Sequence, residues 1–263
     1  MTDRNRLAPW APPRNVSRAV PRTRALFTAA IIASLAAAIP CETIQHDGYP
    51  YTACRAAPDQ LHLLLKAEDG RPVGNFKRMA AATGPVVWAM NAGMYHRDRS
   101  PVGLFVSGGA EVAPLNREEA EEGNFFLLPN GVFWVDEEGA HVATTDEYAS
   151  EPRTPRLATQ SGPMLLIAGA PHPRFLPKST SLHIRNGIAV EEGGVVVAVI
   201  SDRPVNFHRF AAFFRERLGV TDALYLDGTI SRLNAPSLNR SDPGARMGPI
   251  LVAVPREEDP VTP

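Results

Sequence analysis

Apolar residues in this chain come in short runs of four to seven, each closed by Gly, Pro or Asp, and one stretch alone keeps a helical period over several turns. Runs of that length, bounded by turn residues, are the pattern of strands, because a helix needs ten or more residues to bury a face. The strands expected are Tyr49–Arg55, Leu61–Lys66, Val86–Met90, Val102–Val106, Phe125–Leu128, Gly131–Val135, Pro163–Ile167, Val195–Ser201, Ala223–Leu226 and Ile250–Val254. Ser107-Gly108-Gly109 and Glu137-Glu138-Gly139 read as hairpin turns. The helical stretch is Asn206–Leu218, with Phe207, Phe210, Ala211, Phe214 and Leu218 on one face and Gly219 as its stop. Asn75–Ala82 is a shorter candidate, and Arg117–Glu122 reads as a solvated acidic turn. Several strands precede the main helix and few strand–helix–strand units can be counted. The expectation is therefore an α+β fold: a single domain with a mixed, largely antiparallel β-sheet core and a few packed helices.

Charge divides the chain unevenly. The whole sequence sums to -1, but residues 1–38 carry +5 and the remainder carries -6. The basic stretch runs into Ala25–Ile39, an uncharged apolar segment with Ala36-Ala37-Ala38 near its end. That is the layout of a secretory leader, too short for a comfortable membrane span of about 20 residues. The reading is a signal peptide over 1–38 and one domain over 39–263, periplasmic or secreted, without stable membrane insertion after cleavage. A lipid anchor on Cys41 and an uncleaved anchor are the alternatives. Cys41 and Cys54 are the two cysteines of the chain, and in an oxidising compartment they are expected to pair as a disulfide. The acidic domain gives no footprint for nucleic acid, which calls for a basic face.

Three segments deliver polar residues where an apolar run should be ending, a common place for a site. The first, VWAMNAGM, brings Asn91 off a strand and places Gly93 where backbone could approach a ligand; Tyr95 and His96 follow. The second, VVVAVISDRPVN, ends in Asp202 and runs to Asn206 at the start of the Phe-rich helix. The third, ALYLDGTIS, ends in Asp227 and Gly228, with Thr229 and Ser231 behind them. Glycoside hydrolysis needs two carboxyl groups about 5–5.5 Å apart for retention and about 6.5–9.5 Å for inversion. Asp227 and Asp202 are the candidate catalytic pair, and each has a plainer reading as a turn carboxylate. Other templates fit poorly: no G-x-S-x-G, H-E-x-x-H or phosphate-binding glycine loop occurs, and the seven histidines are scattered. No cofactor and no metal is expected, although a metal held by Asp227 and His208 stands as an alternative.

Taken in order, these segments resemble the phosphodiester glycosidase family, which includes a lysosomal enzyme that removes N-acetylglucosamine from a phosphodiester. MNAGMY is similar to the family's N-G-G-F-F turn, Pro101-Val102-Gly103 to its Gly after a Pro, and Arg185-Asn186-Gly187-Ile188 to a strand opened by Arg. Val199-Ile200-Ser201-Asp202 is similar to its V-V-D-G strand end, and LDGTIS to L-D-G-G-x-S. The phrases MNAGMYHRDRSPVGL, ATQSGPML and SDRPVNFHRF together look like an exported bacterial branch. The departures are Ala92 for a Gly, Thr229 for the second Gly of L-D-G-G, and Asn186 where a Thr is usual. The resemblance covers about Tyr49 to Val254 and implies ligand-site roles for Asn91, Gly93, Arg185, Asp202, Asp227, Gly228 and Ser231. Tyr95, His96 and Asn206 join them as substrate-binding candidates. It implies an exported hydrolase acting on a sugar-1-phosphodiester, or a related glycosidic bond in envelope or exopolysaccharide, with a carbohydrate or sugar phosphate as partner. A non-catalytic polysaccharide-binding protein of the same fold is the alternative. Arg185 is the expected phosphate holder, because a guanidinium fork can bind a phosphodiester through two charge-assisted hydrogen bonds.

Overall fold

Strand pairing is antiparallel throughout the residues described by the computed structural model, 40–120 and 122–256. The leader expected over residues 1–38 lies outside them. The first strands in chain order are β1 (Cys41–His46), β2 (Tyr49–Ala56), β3 (Leu61–Leu64) and β4 (Trp88–Asn91), with helix α1 (Phe76–Thr83) before β4. Then come β5 (Phe105–Ser107), β6 (Ala110–Ala113), β7 (Gly131–Asp136), β8 (Gly139–Thr144), the short helix α2 (Thr145–Ala149) and β9 (Leu157–Ser161). β10 (Met164–Ile167), β11 (Ala170–Pro171), β12 (Asn186–Val190) and β13 (Val196–Ser201) lead to α3 (Phe207–Phe213), which continues as a π-type turn, Phe214–Leu218. The last strands among the described residues are β14 (Ala223–Asp227), β15 (Leu233–Ala235), β16 (Arg240–Ser241) and β17 (Ile250–Ala253).

These strands build three sheets, in the orders β1-β2-β13-β12-β14-β10-β11, β16-β15-β4-β17-β3 and β6-β5-β9-β7-β8. Side chains alternate across a strand, so each strand of the large sheet feeds two cores. Cys54, Ala198, Ile200, Ile188, Leu224 and Leu226 pack with Trp88, Met90, Leu251 and Phe133 of the two smaller sheets. Tyr51, Ala53, Val197, Val199, Ala189 and Tyr225 face the other way, onto Phe210, Phe213 and Phe214 of the α3 segment. That helix starts where Asn206 accepts a hydrogen bond from the Arg209 amide, and it stops at Gly219 with φ +69°. The α+β expectation, with a largely antiparallel core and few helices, holds. Cys41 and Cys54 face each other across the β1–β2 hairpin and form the expected disulfide.

Two expected strands differ. Phe125–Leu128 is instead a tight turn, because the Asn130 amide donates to the Phe125 carbonyl and the Leu127 amide bonds back to Asn124. Pairing in the Val102–Val106 run begins only at Phe105. The Gln160 side chain takes the Leu104 amide that a neighbouring strand would need, and a Cβ on Gly103 would lie 2.4 Å from Gln160 Oε1.

Candidate active site

Strand β14 runs between β12 and β10, and the period of two puts Tyr225 and Asp227 on one face while Leu224 and Leu226 enter the core. At the strand's end the chain turns back on the Asp227 carboxylate. Its Oδ1 accepts backbone N–H bonds from Gly228 at 2.6 Å, Thr229 at 2.8 Å and Ile230 at 3.4 Å. This aspartate-anchored turn engages one oxygen, Oδ1, of the carboxylate. The side chain is 8% exposed, and it forms no salt bridge among the described residues. Burial raises its pKa above the ordinary aspartate value; the amides of Thr229, Ile230 and Gly228 oppose the rise without cancelling it. A buried, unpaired carboxyl with a raised pKa has the properties of a general acid or base.

Beneath the turn lie Tyr225 and Arg185. A Cβ added at Gly228 would sit 2.0 Å from the Tyr225 hydroxyl and 3.4 Å from Arg185 Nη1, so the turn closes down on both. Arg185 is 1% exposed and meets no carboxylate among the described residues. Its Nε donates to the Val205 carbonyl, Nη2 to Ser181 and Nη1 to the Tyr225 hydroxyl at 3.2 Å, and its plane lies 3.7 Å from the centre of the Phe207 ring. Burial lowers the Arg185 pKa and pushes that of Tyr225 well above the usual phenol range. The fork expected to grip a phosphodiester is engaged from below, and it supports the Asp227 turn.

A second set of contacts clamps the same turn from the side. Asn91, at the end of β4, accepts the Arg232 amide at 2.9 Å on Oδ1 and donates from Nδ2 to Asn186 Oδ1 at 3.3 Å. Asn186 returns a bond to the Asn91 carbonyl, and the Ser231 hydroxyl lies within bonding distance of both Asn186 Oδ1 and the Asp227 carbonyl. Gly93, with φ +124°, follows against Thr159. Tyr95 packs over Gly248 and donates to the Arg246 carbonyl; burial raises its pKa, and the Asp227 charge adds to the rise. His96 is exposed on the turn beyond.

Asp202 leaves the same rim of the large sheet, but β12 stands between its strand and β14. Two strand spacings give roughly 9–10 Å of lateral separation from Asp227. Its carboxylate pairs with Arg240 and accepts from the Thr52 hydroxyl, and Arg240 also pairs with Asp242. Asn206 caps α3 and ties down the carbonyls of Pro177 and Ser179. The structure thus gathers Asn91, Asp227, Gly228, Ser231 and Arg185 at one turn and sets Asp202 and Asn206 in separate hydrogen-bond networks. Tyr225, Asn186 and Arg232 were not singled out as site residues from sequence. The signal for Tyr225 was its parity with Asp227 two residues on.

Two open pockets, of about 560 and 510 Å³, lie beside the third sheet and contain no residue of the Asp227 turn. Among the described residues no group of three or more His, Cys, Asp and Glu side chains is placed to hold a metal ion, and no helix is long and apolar enough to cross a membrane.

Comparison with known proteins agrees with this architecture. The uncharacterized protein YigE of Escherichia coli (strain K12) is 38% identical over 150 residues, 57% of this chain and 58% of that protein. The match therefore spans less than three-fifths of the relative's length. The catalytic domain of zebrafish N-acetylglucosamine-1-phosphodiester alpha-N-acetylglucosaminidase, auto-inhibited by its pro-peptide, is similar in structure, with a TM-score of 0.58 at 14% identity over 82% of each chain. A putative exported protein from Burkholderia pseudomallei gives a TM-score of 0.51 at 12% identity, over 79% of this chain and 74% of that one. At such identities the likeness is one of fold. The family model for phosphodiester glycosidases matches residues 84–244, a span that holds Asn91, Arg185 and the whole Asp227 turn, and the chain belongs to that family.

Proposed function

We propose that the protein is an exported hydrolase that cleaves the bond between a sugar C1 and a phosphodiester oxygen, or a related glycosidic bond, in envelope or exopolysaccharide. The observation that carries this reading is the Asp227 carboxyl: buried, without a salt-bridge partner among the described residues, held on one oxygen by three amides and raised in pKa by burial. A carboxyl that keeps its proton above the ordinary range can donate it to a departing oxygen, and once ionised it can activate water. A phosphodiester is already a fair leaving group, so electrostatic stabilisation shares the work with proton transfer. Asn91, Asn186 and Ser231 hold the turn in register, while Tyr225 and Arg185 support it from beneath. Asp202 orders the neighbouring rim through Arg240.

The test is release of sugar from a panel of sugar-1-(methyl phosphate) diesters by wild type, Asp227→Asn and Asp202→Asn. Turnover by wild type and a loss on the order of 100-fold or more in Asp227→Asn is expected, with a smaller loss in Asp202→Asn. Undiminished turnover in Asp227→Asn removes that residue from the chemistry. Tight binding without release of any sugar replaces the hydrolase with a polysaccharide-binding protein.

A further inference from the structure

The reading above needs a positive group that can face an anionic substrate, and the arginines in and around the site are otherwise engaged. Arg185 bonds to Val205, Ser181 and Tyr225. Arg232 donates to the carbonyls of Asp242, Gly244 and Ala245 and packs over Phe76. Arg240 is divided between Asp202, Asp242 and Thr52. Each of these has its donors turned into the protein.

Arg99 differs. It sits on the turn that follows Asn91 and Gly93, four residues past Tyr95, where the backbone bends so that the Arg99 amide bonds to the His96 carbonyl. Its φ is +77°, a conformation that side-chain-bearing residues adopt at a cost and that concentrates at functional positions. The guanidinium lies 5.1 Å from the centre of the Tyr95 ring, is half-buried, and forms no ion pair with any carboxylate among the described residues. Tyr95 lies between the two groups: the Asp227 charge raises the pKa of its hydroxyl, and the Arg99 side chain, through its charge and a hydrogen bond, lowers it. Gly248 gives that ring its seat, since a Cβ there would lie 2.4 Å from the ring, and the Tyr95 hydroxyl is anchored on the Arg246 carbonyl. Arg97 and Arg246 are exposed nearby and pack on no ring.

We infer that Arg99 is the specificity-determining residue that receives the anionic phosphodiester part of the substrate beside Asp227, with its guanidinium held in place by Tyr95. This rests on the proposed function for the identity of the substrate, though not for the presence of an anion site. A guanidinium fork stacked on a ring is pre-oriented for two oxygens of one phosphate.

The experiment measures binding by calorimetry in an Asp227→Asn background, where turnover does not interfere. The probes are N-acetylglucosamine 1-(methyl phosphate) and the neutral methyl N-acetylglucosaminide. Arg99→Gly removes the cation and suits the positive φ; Arg99→Lys keeps the charge without the fork; Arg97→Gly controls for loss of surface charge alone. Arg99→Gly is expected to weaken the anionic probe at least tenfold and leave the neutral probe unchanged. Arg99→Lys should fall between, and Arg97→Gly should match the parent. Added salt should weaken the anionic probe in the parent far more than in Arg99→Gly. Equal losses on both probes, equal effects of Arg97→Gly and Arg99→Gly, or no preference of the parent for the anion would each overturn the inference. Arg99-dependent binding together with no sugar release by the protein carrying Asp227 would leave Arg99 in place and refute the hydrolase.

Discussion

Gly228→Ala is the sharpest probe of how the site is assembled. The new methyl would lie 2.0 Å from the Tyr225 hydroxyl, far inside any contact distance, and 3.4 Å from Arg185 Nη1. Tyr225 cannot swing aside: Phe207 meets its ring edge-on at 4.7 Å between centroids, and its hydroxyl is held by Arg185. The Asp227 turn must lift instead. Overpacking of this kind costs about 1–3 kcal/mol, which for the 225-residue unit Ile39–Pro263 corresponds to a melting point lower by roughly 2–12 °C. Turnover should fall with it, because the amides that hold Asp227 Oδ1 belong to the displaced residues.

Tyr225→Phe makes the argument refutable. Alone, it strips Arg185 Nη1 of its acceptor and should cost about 1–3 kcal/mol for a buried donor left unpaired. Combined with Gly228→Ala, it removes the 2.0 Å collision and leaves the ring carbon at 3.2 Å as the nearest atom, tight but adjustable by a few tenths of an ångström. The double variant should therefore be more stable than the sum of the singles by about 1–2 kcal/mol, in the range found for residues in contact. Thermal unfolding of the four proteins decides it. Strict additivity, or a Gly228→Ala protein that melts with wild type, would show that the turn does not rest on Tyr225.

The raised pKa of Asp227 has a consequence for stability with a definite sign. An acid whose pKa is higher folded than unfolded contributes stability below its ordinary value of 3.8 and loses it as pH rises through the raised value. Asparagine keeps the oxygen that accepts the three amides and carries no charge, so Asp227→Asn should melt at or above wild type at pH 7, with the gap closing below pH 4; a variant less stable at pH 7 alone contradicts this. Asn206→Ala should cost about 1–2 kcal/mol through loss of the α3 cap and should speed hydrogen exchange in the segment 177–181, where Asn206 holds the carbonyls of Pro177 and Ser179; unchanged exchange there would sink the assignment. Opening the Cys41–Cys54 bridge, which closes a sequence separation of 13, should cost about 3 kcal/mol, read as a melting point sensitive to reductant.

What sequence could reveal of this site followed from local pattern, and what it could not depended on contacts distant in the chain. Asp227 is legible because a continuous apolar run ending in Asp-Gly announces both a strand and its stop. Asp202 ends a run of the same form, yet its carboxylate is taken by Arg240, 38 residues further on, and no local feature of either segment indicates that pairing. Asn186-Gly187 carries no apolar signal of its own, and only the family resemblance marks it as the start of a strand. Both residues lie inside β12, the glycine because a Cβ would meet the Leu224 carbonyl at 2.8 Å, the asparagine because its amide bridges to β4. The apolar pattern passes over β1 and β9 for related reasons: β1 is a polar edge strand, and β9 buries Thr159, Gln160 and Ser161 against partners supplied by other segments, whereas the strand that the family resemblance expects behind Arg185 is β12. Arg185 shows the limit most clearly. Its type and position point to a phosphate ligand, and only its burial reveals that the donors face inward.

The placement of charge also explains how an acidic domain can serve an anionic ligand. Residues 39–263 carry -6, so the long-range field opposes an anion, and any compensation has to be local. Arg185 and Arg232 are both buried beside the Asp227 turn and bonded to carbonyls and hydroxyls rather than to carboxylates, so their charges are not cancelled at contact distance. Burial is the largest influence on Asp227 and raises its pKa, against the lowering by the three turn amides. The same desolvation favours the neutral carboxyl, and a neutral carboxyl subtracts nothing from the positive charge of the two arginines. Ionisation of Asp227 would remove the acid and weaken the local positive field in one step, so proton donation and anion acceptance draw on the same protonation state.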